Sequence, residues 1–140
     1  MSIWKMPINH DLLTVRSKNT FAEYIGIQFT EIGDDYLKAT LPVDHRTKQP
    51  LGLLNGGVSA AAAETVSSTA ANYCVDQSIA YCVGLDINAN HIRPADAGLV
   101  TVIAKPIHLG NKTQVWEIKI ENEKQKLICI ARMTMAVVYR

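Results

Sequence analysis

Three cysteines, Cys74, Cys82 and Cys129, are too few and too far apart to staple a small fold or to form a close metal-ligating pair. An odd number suits free thiols in a reducing compartment, so structural disulfides are not expected. Charge of one sign is missing as well. The 14 Lys and Arg residues stand against 13 Asp and Glu, a formal net charge of +1. No global field is left to gather nucleic acid or an anionic membrane surface, so neither is an expected partner, and any anion must be met by a local cluster. No stretch approaches the roughly 20 apolar residues of a membrane span. Met1 to His10 carry charges and a proline where a signal peptide needs an apolar run, so a cytoplasmic location is expected. Repeats, low-complexity tracts and Ser/Gly linkers are also lacking. Residues 1–140 therefore read as one domain, long enough for one core.

What is present is a hydrophobic fraction of 48% arranged mostly for strands. Residues 8–25 mix short polar and apolar steps and read as one or two short helices, with Asn19 or Thr20 as a cap before Phe21. Ile27 to Ile32 and Tyr36 to Val43 form a hairpin across Gly33-Asp34-Asp35, residue types that favour a tight turn. Tyr81, Val83, Leu85, Ile87 and Ala89 alternate with Cys82, Gly84, Asp86, Asn88 and Asn90, a period of two that predicts one long strand. Leu99 to His108, Thr113 to Glu121 and Leu127 to Tyr139 follow as an antiparallel meander.

One segment breaks this pattern. Gly57 to about Cys74 is rich in Ala, spaced for a helix, and carries no formal charge except Glu64. A surface helix would show a charged stripe. Small side chains instead suit burial nearly all round, inside a curled antiparallel sheet, which makes the fold class α+β. Such a sheet leaves an edge that a second copy can cover.

Glu64 is the first candidate for chemistry. Burying an ionised carboxylate costs several kcal/mol unless it is paired, so stability alone rarely places one on an apolar helix. The plainer alternative is a carboxylate that faces solvent at a subunit rim or pairs with an arginine. Ser67 and Ser68, three and four residues on, share its face at helical spacing and are candidates to hydrogen-bond the substrate or the carboxylate, or else bond back to helix carbonyls. Upstream, Leu54-Asn55-Gly56-Gly57 brings two glycines to the helix start, where free N–H groups and the helix dipole can hold a developing oxyanion. Donors for a carbonyl oxygen plus a carboxylate to attack, or to activate water, are parts of an acyl-transfer site. Gln49, in Arg46-Thr47-Lys48-Gln49-Pro50, is a further candidate to orient water or the acyl group.

These residues also carry a resemblance. The run from Arg46 to Ser59 with Ala63-Glu64-Thr65, the stretch Val83 to Arg93, and Lys105-Pro106-Ile107-His108-Leu109-Gly110 with Gln114-Val115-Trp116 resemble the hot-dog fold acyl-CoA thioesterases of the 4-hydroxybenzoyl-CoA thioesterase type. The nearest likeness is to bacterial 1,4-dihydroxy-2-naphthoyl-CoA hydrolases. The resemblance implies a curled sheet around a central helix and hydrolysis of an aromatic or medium acyl-CoA. No cofactor is implied, because coenzyme A is part of the substrate. It places Glu64 on the family's catalytic carboxylate, as nucleophile or general base, Gln49 on its helper glutamine and Gly56 on the residue that polarises the thioester carbonyl. It further implies a homodimer, paired into a dimer of dimers, with active sites shared across subunits. Asn55, the fourth catalytic position by resemblance, stands where this family usually has a histidine that helps hold the thioester carbonyl. Asparagine can donate a hydrogen bond but cannot be protonated, which leaves a non-catalytic or weakly active acyl-CoA binder as one alternative.

Coenzyme A needs anchors in a chain of nearly zero net charge. His91 and Arg93 end one strand, and His108, Asn111 and Lys112 sit at the next strand turn, so the two are expected to form one polar, partly cationic rim. By resemblance Gly84, His91, Ile92, Arg93 and Pro94, with His108, Leu109, Gly110, Asn111, Lys112 and Thr113, line the coenzyme site. A second alternative, a hydroxyacyl-thioester dehydratase, generally uses a histidine beside its acid group. The sequence shows none next to Gly56-Gly57.

Overall fold

A computed structural model describes residues 1–140. Two short helices open the chain, α1 (His10–Ser17) and α2 (Phe21–Tyr24). Asn9 caps the first by accepting the Leu12 N–H at 2.8 Å. Thr20 occupies the cap position of the second, but its hydroxyl donates backwards to the Ser17 carbonyl instead. The hairpin follows as β1 (Gln28–Ile32) and β2 (Leu37–Pro42), closed by the Gly33 N–H on the Tyr36 carbonyl at 2.9 Å. Then come α3 (Gly56–Tyr73), β3 (Ala80–His91), β4 (Leu99–Leu109), β5 (Thr113–Glu121) and β6 (Leu127–Tyr139).

The strands form one antiparallel sheet in the order β1-β2-β4-β5-β6-β3. The meander β4-β5-β6 is as expected. β3, which precedes it in the chain, joins beyond β6 and becomes a long free edge. Alternate residues of every inner strand face α3: Leu37, Ala39 and Leu41, then Val100, Val102 and Ala104, then Trp116, Ile118 and Ile120 are all fully buried. They meet Ala62, Ala63, Val66, Ala70 and Ala71, likewise fully buried, whose small size lets the sheet close on the helix backbone. The largest core side chain leaves no orphan polar group, since the Trp116 indole N–H donates to the Gln114 amide oxygen at 2.9 Å.

Two expectations need correction. α3 is not covered all round: Gly57, Ala61, Glu64, Thr65 and Ser68 form a stripe, three and four residues apart, that the sheet leaves open. One curled sheet has only one concave face, and a helix has two sides. Nor does the alternation of β3 run unbroken. A bulge between Gly84 and Asp86 shifts its pairing with β6. Cys82 and Gly84 face inward before it, and Ile87, Ala89 and His91 face inward after it, as their β6 partners Met133, Ala131 and Cys129 are buried. Tyr81, Val83 and Leu85 point outward, with exposures of 37%, 43% and 62%. This switch of face positions the site.

Candidate active site

The segment between β2 and α3 holds Gln49 and is pinned at several points. Thr47 is fully buried, donates to the Pro42 carbonyl at 2.7 Å and accepts the Asp44 N–H at 3.0 Å. The Asn55 N–H reaches the Thr47 carbonyl, and the Gln49 N–H the Leu53 carbonyl, both at 2.8 Å. The Gln49 amide oxygen accepts the Leu51 N–H, which leaves its NH2 group to donate elsewhere. Arg46 ties the loop to α2 through the Tyr24 carbonyl at 3.2 Å and pairs with Asp44 at 2.7 Å.

Side-chain and backbone hydrogen bonds from Arg46 hold the Asp44 carboxyl at about 2, below its ordinary 3.8. A depressed folded-state value contributes stability above the unfolded value, and that contribution disappears as pH falls through the folded one. Stability is therefore expected to drop between pH about 4 and about 2. Asp44→Asn should flatten this part of the curve when denaturation is followed by circular dichroism.

At the start of α3, Asn55 is the N-cap, and its side-chain oxygen accepts the Gly57 N–H at 2.7 Å. That donor is taken. The Gly56 N–H has no partner in the chain, because the first residue of a helix has no carbonyl a turn behind it. The asparagine thus keeps its NH2 group as a further donor beside Gly56. His91 arrives here from β3, so close that a side chain on Gly56 would meet its imidazole at 2.9 Å. The sequence showed no histidine near this glycine pair; the fold supplies one, 35 residues downstream by number, through the inward parity set by the bulge. A cavity of about 330 Å³ joins Gln49, Gly56 and the span His91 to Pro94, including Ile92 and Arg93.

Glu64 lies on the open stripe, half-buried, in none of the chain's ion pairs and with no hydrogen bond to its carboxylate. It is therefore less buried than the apolar helix suggested, and it pairs with no arginine. Its carboxylate rests on Gly84 of β3, where a Cβ would stand 2.4 Å from Glu64 Oε2 and 2.4 Å from Met133 Cε. Both obstructing atoms end flexible side chains, so Gly84→Ala should fold with little loss of melting temperature while displacing the carboxylate. Because a misplacement of ~1 Å can cost ~100-fold, kcat of a reaction that uses this carboxylate should fall by roughly 10- to 100-fold. Steady-state kinetics alongside a thermal melt checks both halves of this expectation.

The two serines separate. Ser67 is fully buried and bonds back to the Ala63 carbonyl at 2.7 Å and the Glu64 carbonyl at 3.2 Å, so its hydroxyl serves the helix backbone and not the Glu64 carboxylate. Ser68 is half-buried on the open stripe. The expected single coenzyme rim also divides. Through the pairings of β5 and β6, Thr113 is level with Ala136 and Val83, whereas His91 is level with Cys129 and Ile120. Seven residues of β5 and of β6 separate the two levels, roughly 23 Å. Within one chain, the turn carrying His108, Leu109, Gly110, Asn111, Lys112 and Thr113 thus lies far from His91 and Arg93, and at the level of Gly84 instead, with β6 between them. Antiparallel topology puts successive strand ends at opposite ends of a sheet, which sequence adjacency conceals.

One chain therefore presents two half-sites: a free carboxylate on Gly84, and a donor cradle of Gly56, Gln49 and Asn55 with His91 against it. Eight helical residues, ~12 Å, separate them. No group of three His, Cys, Asp or Glu side chains converges as metal ligands would. No helix is long and apolar enough to cross a membrane. All three cysteines are free and buried, and burial pushes Cys74 up to about 12 and Cys82 up to about 11.

Residues 51–129, more than half of the chain, match the family model described as thioesterase superfamily. The chain belongs to that superfamily. This thioesterase is 46% identical over 137 residues to the 1,4-dihydroxy-2-naphthoyl-CoA hydrolase of Escherichia coli, covering 96% of the chain and 98% of that protein. It is 44% identical over 135 residues to the proofreading thioesterase EntH of Cronobacter turicensis, covering 96% and 98%. A thioesterase of Pseudomonas aeruginosa, solved as a glutamine-to-alanine variant, is 45% identical with a TM-score of 0.97, covering 99% of this chain and all of that one. The curled six-stranded sheet with a helix packed on it is the hot-dog fold of these thioesterases, and the chain is a thioester hydrolase.

Proposed function

We propose that this thioesterase cleaves aromatic acyl-CoA esters at a site shared by two copies of the chain, with Glu64 of one copy facing Gly56 of the partner subunit. The observation that carries this is the separation of two unfinished half-sites by ~12 Å on one helix, too far for both to touch one carbonyl. The free edge β3 offers the way to join them. An antiparallel pair of β3 strands about a two-fold axis near Ile87 and Asn88 sets Gly84 of one copy level with His91 of the partner subunit. Glu64 rests on the first and Gly56 on the second. Across one strand spacing of ~4.8 Å, a carboxylate and an oxyanion donor then flank a single thioester carbonyl. The same pairing brings His91, Ile92, Arg93 and Pro94 of one copy towards the turn from His108 to Thr113 of the other, which reunites the divided coenzyme rim. Dimers pair again into a tetramer.

In this site the Gly56 N–H, helped by the NH2 groups of Gln49 and Asn55, binds the carbonyl oxygen as it gains charge. Glu64 acts in one of two ways. As general base it takes a proton from the attacking water, and coenzyme A leaves as its thiolate. As nucleophile it forms an acyl-glutamyl anhydride with loss of that thiolate, and water then hydrolyses the anhydride. The acyl class rests on the naphthoyl-CoA hydrolase at 46% identity. A thiol-release screen over benzoyl-, naphthoyl-, phenylacetyl- and straight-chain CoA esters tests it: an aromatic ester should give the highest kcat/KM. Binding without thiol release from any ester would instead leave an acyl-CoA binder, the reading Asn55 opens. His91 beside Gly56 removes one objection to a dehydratase, so the screen includes a 3-hydroxyacyl-CoA, from which only hydrolysis is expected.

A further inference from the structure

Beyond Glu64, towards the C-terminus of α3, the groove between α3 and β3 opens into a second cavity of about 480 Å³. Ser68 lies one helical turn past Glu64 and Cys82 two strand residues before Gly84, and both line this cavity. Its walls thus carry on the two elements, α3 and β3, that hold the carboxylate and Gly84. In the other direction the inward side chains of Ile87 and Ala89 pack against the core, and His91 closes on Gly56. An acyl group held at Glu64 has this cavity as its open continuation.

Two guanidinium groups, from Arg16 and Arg140, face into it. Neither takes part in any of the chain's four ion pairs. Aromatic rings hold them in place instead, Arg16 over Tyr73 at 5.8 Å and Arg140 over Tyr81 at 5.0 Å. Arg140 also donates through Nε to the Gln77 carbonyl at 3.2 Å. Stacking fixes a guanidinium while leaving most of its N–H groups free, and such a fork matches a carboxylate in geometry. Asn72 in the same wall is already committed, bonding the Cys82 N–H at 2.8 Å and the Cys82 carbonyl at 3.1 Å. Arg16, Arg140 and the Ser68 and Tyr81 hydroxyls are then donors left to meet a ligand, beside the Gln77 amide.

We infer that the Arg16 and Arg140 cavity receives the far end of the acyl group and selects acyl-CoA esters whose acyl group ends in a carboxylate or comparable anionic oxygen. The inference rests on Glu64 being the point of cleavage. From helix rise, Ser68 and Asn72 lie about 6 and 12 Å beyond Glu64, so the anionic group should stand at that distance from the thioester carbonyl. A dicarboxylic acyl chain of medium length, or a ring with a carboxylate opposite the thioester, fits.

The test compares suberoyl-CoA with octanoyl-CoA, which has the same chain length and no terminal charge. Charge-assisted hydrogen bonds to two guanidiniums predict a kcat/KM at least about tenfold higher for the diacid ester, mainly through KM. In the double variant Arg16→Gln, Arg140→Gln this preference should fall to near parity while octanoyl-CoA turnover stays unchanged, which also reports that the variant is folded. Should the double variant fail to fold, Arg140→Gln alone should reduce the preference. Equal kcat/KM for the two esters in the unaltered protein, or a preference that survives both substitutions, overturns the inference. Calorimetric titration of Glu64→Gln protein with the two esters asks the same question without turnover. If the unaltered protein hydrolyses no ester but suberoyl-CoA binds at least about tenfold more tightly than octanoyl-CoA, the hydrolytic assignment of Glu64 fails and the anion cavity stands.

Discussion

Glu64→Gln is expected to lower kcat for acyl-CoA cleavage by at least about a thousandfold while leaving substrate affinity within a few-fold of the starting value. Glutamine keeps the shape but can neither take a proton from water nor attack a carbonyl. The surroundings of Glu64 make this substitution unusually clean. The carboxylate forms no ion pair and accepts no hydrogen bond within the chain, so removing its charge strands no buried partner. Neither does it overfill the space against Gly84 and Met133, since the two side chains are nearly isosteric. A thermal melt should be almost unchanged, and calorimetry should still detect the bound ester. Turnover near that of the unaltered protein would remove Glu64 from the chemistry.

Most of the architecture was legible because its signals are local. β5 and β6 fall where alternation and turn residues place them, and α3 starts within a residue of the expected position. Helix identity followed from small residues with one charge, a pattern no strand of this chain shows. The bulge in β3 was not legible. Tyr81, Val83, Leu85, Ile87 and Ala89 alternate without a break, and the shift at Gly84 exists only in the pairing with β6. Period-two reasoning therefore assigned Tyr81 and Ile87 to one face, and it missed that Ile87 and His91 share the inward face with Gly84.

The site was legible as a set of residues, and less so as an arrangement. Glu64, Gly56 and Gln49 could be singled out because an isolated carboxylate and a glycine pair at a helix start are chemically unusual. Ser67 and Ser68 could not be told apart, since both lie within one turn of Glu64. Only the covered side of α3 decides that Ser67 bonds to Ala63 and Ser68 stays open. Asn55 was weighed against a histidine for the carbonyl, and its duty as a cap to Gly57 emerged from the helix geometry. The coenzyme rim failed as a single-chain feature for a topological reason, because strand ends adjacent in sequence lie about 23 Å apart in the sheet.

The shared site is the central claim, and subunit mixing tests it most directly. Glu64→Gln removes the acid half-site and Gln49→Ala the donor half-site. Each variant alone should be nearly inactive, by at least about a thousandfold for the first and about a hundredfold for the second. In a hybrid dimer one site carries both changes and the other carries neither, because the two half-sites come from opposite copies. Random exchange of equal amounts makes half of the dimers hybrid, so about one site in four should be intact and activity should recover to about a quarter of that of the unaltered protein. The measurement is thiol release before and after denaturation and joint refolding, with hybrid formation verified by native mass spectrometry. Recovery to that level is the predicted result. Verified hybrids with no more activity than the separate variants would contradict it, and would place Gln49 and Glu64 on the same site of a single chain.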